Sequence, residues 1–147
     1  MIEAYDADPG TPDGRFVAVS ARAQAGTGSE TLTVGFALTG NLPRKLLIRA
    51  VGPSLAPLGV TGVLADPQLS LYAGDRTLIA SNDNWSSNPA DAALLAAAAV
   101  QVQDFSLPAG SLDAALLVTL QPGTYTAQVL GANGGTGVAL IEVYDVP

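Results

Sequence analysis

An all-β fold, an antiparallel β-sandwich of jelly-roll or immunoglobulin-like type with one short crossover helix, is what this sequence predicts. Three observations predict it. Apolar residues alternate with polar or small ones at period two in eight separate stretches, turn residues punctuate those stretches, and a single segment opens like a helix. The chain has 147 residues, 48% of them hydrophobic and 13% charged. That is the size of one domain, and such a domain buries roughly 70% of the surface its unfolded chain exposes, enough for a core without disulfide or metal.

The first strand is expected over residues 15–22. The clearest runs over 30–39, with Leu32, Val34, Phe36 and Leu38 on one face and Thr31, Thr33, Gly35 and Ala37 on the other. Residues 45–51 follow, placing Leu46, Ile48 and Ala50 inward and Lys45 and Arg49 outward. Strands over 68–73 and 77–81 flank a turn at Gly74-Asp75, and further strands are expected over 114–120, 124–130 and 138–144. Between them lies the helix: Asn88 as N-cap, Pro89 at the first helical position, Asp91 in the first turn, then the apolar run 92–100. That run is too short to cross a bilayer, so membrane insertion is not expected. The glycine-rich stretches 25–29 and 131–137 lack the Gly-Lys-Ser/Thr ending of a phosphate cradle and read as hairpin loops.

Composition removes whole classes of chemistry. The chain contains no Cys and no His, so thiolate nucleophiles, disulfides, imidazole bases and the usual zinc sites are absent together. A net charge of −7, with 6 basic residues against 13 acidic, argues against nucleic acid as a partner. Glu3, Glu30 and Glu142 offer carboxylates for a glycosidase pair, but Glu3 and Glu142 are expected to face outward as copies of one strand position. Ser54 follows Gly52-Pro53 as a turn residue, and no enzyme activity is expected. The first residues carry neither a basic nor an apolar leader region, so either the protein is cytosolic or Met1 marks a mature or excised segment, and a duplication of the terminal strand favours the second.

A duplication is the most informative feature. Ile2-Glu3-Ala4-Tyr5-Asp6 recurs as Ile141-Glu142-Val143-Tyr144-Asp145, with four of five residues identical. The expectation is one repeat period plus a surplus terminal strand, divided as residues 1–8 and a sandwich over 9–147. One sandwich offers one slot for such a strand. The spare must stay loose, pair at an exposed edge, or enter a neighbour's sheet. Head-to-tail addition that does not close on itself builds a filament. The expected partner is therefore another copy of the chain, as homopolymer or neighbouring repeat, with Tyr5 and Tyr144 as outward contact residues.

Four phrases also follow one another in a familiar order: Leu47-Ile48-Arg49-Ala50-Val51-Gly52-Pro53-Ser54-Leu55, Ala65-Asp66-Pro67-Gln68-Leu69-Ser70-Leu71-Tyr72, Ile79-Ala80-Ser81-Asn82-Asp83-Asn84-Trp85 and Gly123-Thr124-Tyr125-Thr126-Ala127-Gln128-Val129. Nearly the whole chain resembles the β-sandwich repeats of large secreted proteins of environmental bacteria. Residues 66–145 also resemble the bacterial pre-peptidase C-terminal domains, apart from the helical insert at 88–102. Both resemblances imply a non-catalytic, secreted or cell-surface module, in some members with calcium beside the turn acids.

Two binding sites follow as expectations. Asp66, Asp75, Asn82, Asp83 and Asn84 form the densest set of hard oxygen donors, the type calcium requires, although the spacing is not that of an EF-hand. The competing account makes Asn82, Asp83 and Asn84 ordinary turn residues bonded to their own backbone. Trp85 beside them is either a stacking platform for a surface glycan or a cap on the core. A carbohydrate-binding or calcium-dependent adhesion module centred on Asn82, Asp83 and Trp85 is thus the alternative to a self-assembling structural module.

Overall fold

The computed structural model describes residues 2–3 and 18–147. Its strands are β1 (Ile2–Glu3), β2 (Ala18–Ala25), β3 (Leu32–Leu38), β4 (Arg44–Val51), β5 (Pro67–Ala73), β6 (Leu78–Asn82), β7 (Ala114–Leu120), β8 (Gly123–Gly131) and β9 (Gly137–Asp145), with one helix, α1 (Pro89–Gln101). They form a five-stranded sheet in the order β1-β3-β8-β5-β6 and a four-stranded sheet in the order β2-β9-β4-β7. The strand pairs are antiparallel except β1 with β3, which run parallel. The all-β sandwich is therefore as expected. The boundary proposed at residue 8 lies outside the described residues.

Alternation explains the core between the sheets. Leu32, Val34 and Phe36 of β3 face Leu46, Ile48 and Ala50 of β4, joined by Leu69, Leu71, Val129, Ile141 and Val143, all buried. Lys45 projects to solvent as expected. α1 also starts as the sequence indicates: Asn88 Oδ1 accepts the Ala90 N–H at 3.0 Å, and Pro89, with no N–H to leave unpaired, opens the helix. No helix among the described residues is long and apolar enough to cross a membrane.

Two expectations change. The glycine-rich stretches are not hairpin loops. Residues 26–31 carry the chain from β2 in one sheet to β3 in the other, and 132–136 carry it from β8 to β9, again between sheets. Glycine is needed where the layers turn against another segment: a Cβ on Gly137 would lie 2.5 Å from Leu64 N, and one on Gly52 would lie 2.1 Å from Leu64 O. The second change is a third layer. α1, the 3-10 turn Pro53–Leu58 and the segment after α1 cover the outer face of the four-stranded sheet, forming a second apolar cluster of Leu47, Val51, Leu55, Trp85, Leu95, Ala98, Ala99, Leu107 and Ala115. Arg49 and Glu142, expected at the surface, are consequently 1% and 4% exposed. Tyr144, expected as an outward contact residue, is partly buried beside them. Period-two alternation assigns a side chain to a face; it does not say whether that face meets water.

Candidate functional site

The two copies of the duplicated strand do not share a slot. Ile141 to Asp145 form the end of β9, which is paired on both sides: Ile141 lies opposite Ala21 and Ala50, and Val143 opposite Val19 and Ile48. Asp145 is itself buried, with a carboxylate oxygen 3.5 Å from Arg44 Nη1. No incoming strand can take this place without displacing β2 or β4. Ile2 and Glu3 instead pair with Val34 and Gly35 at the free edge of β3, in the opposite sheet. Of the three fates open to the spare copy, edge pairing is the one its described residues adopt. Ala4, Tyr5 and Asp6 lie outside the described residues.

The five expected calcium donors are not brought together. Leu69 of β5 pairs with Asn82 of β6, so Asp66, just before β5, and Asp83, just after β6, share one end of the hairpin. Asp75 occupies its turn at the far end, where Oδ1 accepts the Thr77 N–H at 2.9 Å and that bond lowers its pKa. A strand rises about 3.3 Å per residue, so the length of β6 alone separates the two ends by more than any ion could bridge. Asn82 Oδ1 is engaged by the Ala115 N–H at 3.0 Å, and its Nδ2 donates to Asn84 O at 3.5 Å. Asp66 and Asp83 remain. Burial and then the Asp83 charge push the Asp66 carboxyl up, and Asp66 Oδ1 is buried without a hydrogen-bond partner. Among the described residues no three Asp, Glu, His or Cys side chains gather as a metal-binding group.

Trp85 lies under α1, 7% exposed, packed with Leu95, Ala98, Ala99 and Leu107. Its indole N–H is shared between Pro108 O and Ser111 Oγ, each at 3.1 Å, and its backbone N–H donates to Asp113 O at 2.9 Å. The ring thus caps the core under the helix rather than offering a face to a sugar.

Sequence reasoning missed the densest polar cluster. Arg49 on β4 and Glu142 on β9 are direct cross-strand partners. Arg49 Nε and Nη2 donate to Glu142 Oε2 at 3.0 and 2.8 Å, Nη1 donates to Phe105 O at 2.6 Å, and the guanidinium lies 4.3 Å from the centre of the Phe105 ring. Asp104 Oδ2 is 2.8 Å from Nη2, a charge contact off the hydrogen-bonding direction, while its Oδ1 accepts the Phe105 N–H at 2.8 Å. Tyr144 Oη donates to Glu142 Oε1 at 3.0 Å. Two carboxylates thus surround one cation. Burial foremost raises the Glu142 pKa, against the opposing pull of Arg49. Burial, then the Glu142 and Asp104 charges, hold the Tyr144 hydroxyl protonated well above its ordinary range. Leu47 and Val51, apolar on the face that Arg49 shares, were the signal that this face is covered.

A second buried anchor is Asp113, 0% exposed. Its Oδ1 accepts the Gly52 N–H at 2.8 Å and, more weakly, the Ser54 N–H at 3.4 Å, and the Ser54 hydroxyl donates to Oδ2. Gly52-Pro53-Ser54 therefore serves to bind a carboxylate that closes the turn after β4. Chemically, both clusters fasten the helix layer to the sheet. A cavity of about 50 Å³ beneath α1, lined by Leu47, Trp85, Leu95, Leu107 and the edge of Arg49, has room for little more than water. A wider groove of about 400 Å³ between Arg22, Leu58, Val60 and Leu140 is open to solvent and, among the described residues, gathers no second ionisable side chain.

No family model matches this sequence, and no curated protein does. Among solved structures the chain is similar to the pre-peptidase C-terminal domain of collagenase from Bacillus anthracis, with a TM-score of 0.51 and 12% identity over 86% of this chain and 89% of that one. At that identity the likeness is one of fold, and it extends well beyond residues 66–145, where the sequence resemblance lies.

Proposed function

We propose that this chain is a non-catalytic, extracellular structural module that joins further copies of itself by β-strand addition, in a filament or a tandem array. One observation carries the reading: the described residues of β1 pair at the edge of β3, opposite Val34 and Gly35, and they belong to a segment that duplicates part of β9. A strand edge left open presents unpaired N–H and C=O groups, and pairing with another chain satisfies them. The buried carboxylates, meanwhile, are held by Arg49, Tyr144, Gly52 and Ser54, which suits anchoring rather than proton transfer. Resemblance to repeats of secreted bacterial proteins supports the extracellular setting.

Proline in both residues of β1 removes whichever N–H faces outward. Wild-type protein should form rods or fibres in negative stain. The full-length Ile2→Pro/Glu3→Pro variant should sediment as monomer with a melting temperature within a few degrees of wild type. Fibres from that variant, or wild type that stays monomeric at every concentration, would overturn the reading.

A second reading, calcium-dependent adhesion, is favoured by the unpartnered Asp66 Oδ1 beside Asp83. Calcium would relieve the repulsion between the two carboxylates and supply the missing partner. On this reading calcium raises the melting temperature of wild type above that in EGTA and leaves Asp66→Asn unmoved. Identical wild-type midpoints in both buffers would remove calcium from consideration.

A further inference from the structure

Both sheets end on the same two flanks of the sandwich. β2 packs against β3 on one flank and β6 against β7 on the other, where Asn82 Oδ1 and the Ala115 N–H hold the two edges together at 3.0 Å. The β6 edge is unguarded. It reads Leu78-Ile79-Ala80-Ser81-Asn82, without the lysine, proline or inward charge that normally blunts an edge, and Leu78 and Ile79 are 52% and 42% exposed. β7 beside it, Ala114 to Leu120, is likewise free of charge.

We infer that the β6 edge, with β7 alongside, is the receiving surface for the β1/β3 flank of a second copy, a step that rests on the strand-addition reading above and names its other half. β1 would stay on its own β3 and offer its outer side to the next copy's β6, so that the five-stranded sheets run on from copy to copy. Two features identify the occupant as another copy of this chain. Sheets in a sandwich lie about 10 Å apart, and only a partner ending in two edges at that spacing matches β6 and β7 together; the flank where β1 on β3 and β2 are the outermost described strands does. The meeting edges also carry little charge for a protein of net charge −7: β6 and β7 contain no ionisable residue, and the facing strands contribute Glu3 on β1 and Arg22 on β2, which offset each other. Copies that repel over the rest of their surface can approach there. Because the two flanks differ, the contact is heterologous and propagates instead of closing.

Full-length Ile79→Lys places a charge on the receiving edge and, being at an exposed position, should melt with wild type; Leu78→Lys serves as an independent version. Each should be monomeric by sedimentation velocity, as should Ile2→Pro/Glu3→Pro. Mixed in equal amounts, Ile79→Lys and Ile2→Pro/Glu3→Pro should give a two-module complex that does not grow, since each retains the surface the other has lost. If both lysine variants form fibres like wild type while the proline variant does not, the receiving edge is elsewhere and strand addition stands. If the mixture stays monomeric, the two flanks are not complementary and the inference is wrong. Fibres from the proline variant would remove strand addition itself.

Discussion

Arg49→Met is expected to cost about 3–5 kcal/mol of folding stability, read as the shift in a urea titration, because it leaves two carboxylates buried against one another. Glu142 loses both bonds to its Oε2, Phe105 O loses its donor, and Asp104 loses the one counter-charge it meets among the described residues. Methionine fills much of the volume, so the loss reports charge rather than a cavity. Adding Glu142→Leu and Asp104→Asn to Arg49→Met should recover more than half of it, since a buried ion pair replaced by apolar groups is often near neutral. The pH dependence gives a second readout. A Glu142 pKa raised above its unfolded value of 4.5 means the folded state holds the extra proton between the two values, so stability falls as pH rises through the folded pKa. Glu142→Gln should flatten that decline. Arg49→Met should steepen it, because the cation opposing the rise is gone, and its deficit should therefore shrink in mild acid. Asp66 contributes with the same sign, so the comparison is between variants rather than with a level baseline. A loss for Arg49→Met below about 1 kcal/mol would mean that the cluster reaches water and that the segment after α1 is not fastened to the sheet.

What could be read from the sequence divides along a physical line. Strand positions, the inward faces of β3 and β4, and the Asn88-Pro89 start of α1 were legible because each depends on residues close together in the chain. The outer layer was not. Lys45 and Arg49 stand four residues apart on one face of β4, and the segment after α1, whose Phe105 lies 56 residues beyond Arg49, buries one while the other stays in water. A hint existed in the run Leu46-Leu47-Ile48-Arg49-Ala50-Val51, which is apolar on both faces as strands covered on both sides are. The oxygen-donor cluster failed for a related reason. Asp66, Asp75 and Asp83 are near neighbours in sequence, but an antiparallel hairpin returns its ends to each other and sends its turn away. Pairing register, not spacing, decides which acids meet. The duplicated strand shows the limit of pattern alone: Ile141 to Asp145 take a central position in one sheet, while Ile2 and Glu3, the described residues of the other copy, take an edge position in the other sheet.

Trp85→Ala should lower stability by about 3–5 kcal/mol, the range for removing a buried aromatic ring. The gap would open beneath α1, against Leu95, Ala98 and Ala99, and would strand Pro108 O and Ser111 Oγ without their donor. An alanine variant is therefore a poor probe of sugar binding, since any lost signal would follow from a loosened helix layer. Trp85→Phe separates the two accounts: it keeps most of the packing and gives up the indole bonds, so its stability should fall between wild type and Trp85→Ala, and a ring buried in this way should make the wild-type fluorescence blue-shifted and poorly quenched by acrylamide. A cost below about 1 kcal/mol for Trp85→Ala, together with ready quenching, would place the ring at the surface. It would then return Asn82, Asp83 and Trp85 to consideration as a glycan site, and move the function of this module from assembly through its edges to recognition at one end of its β5–β6 hairpin.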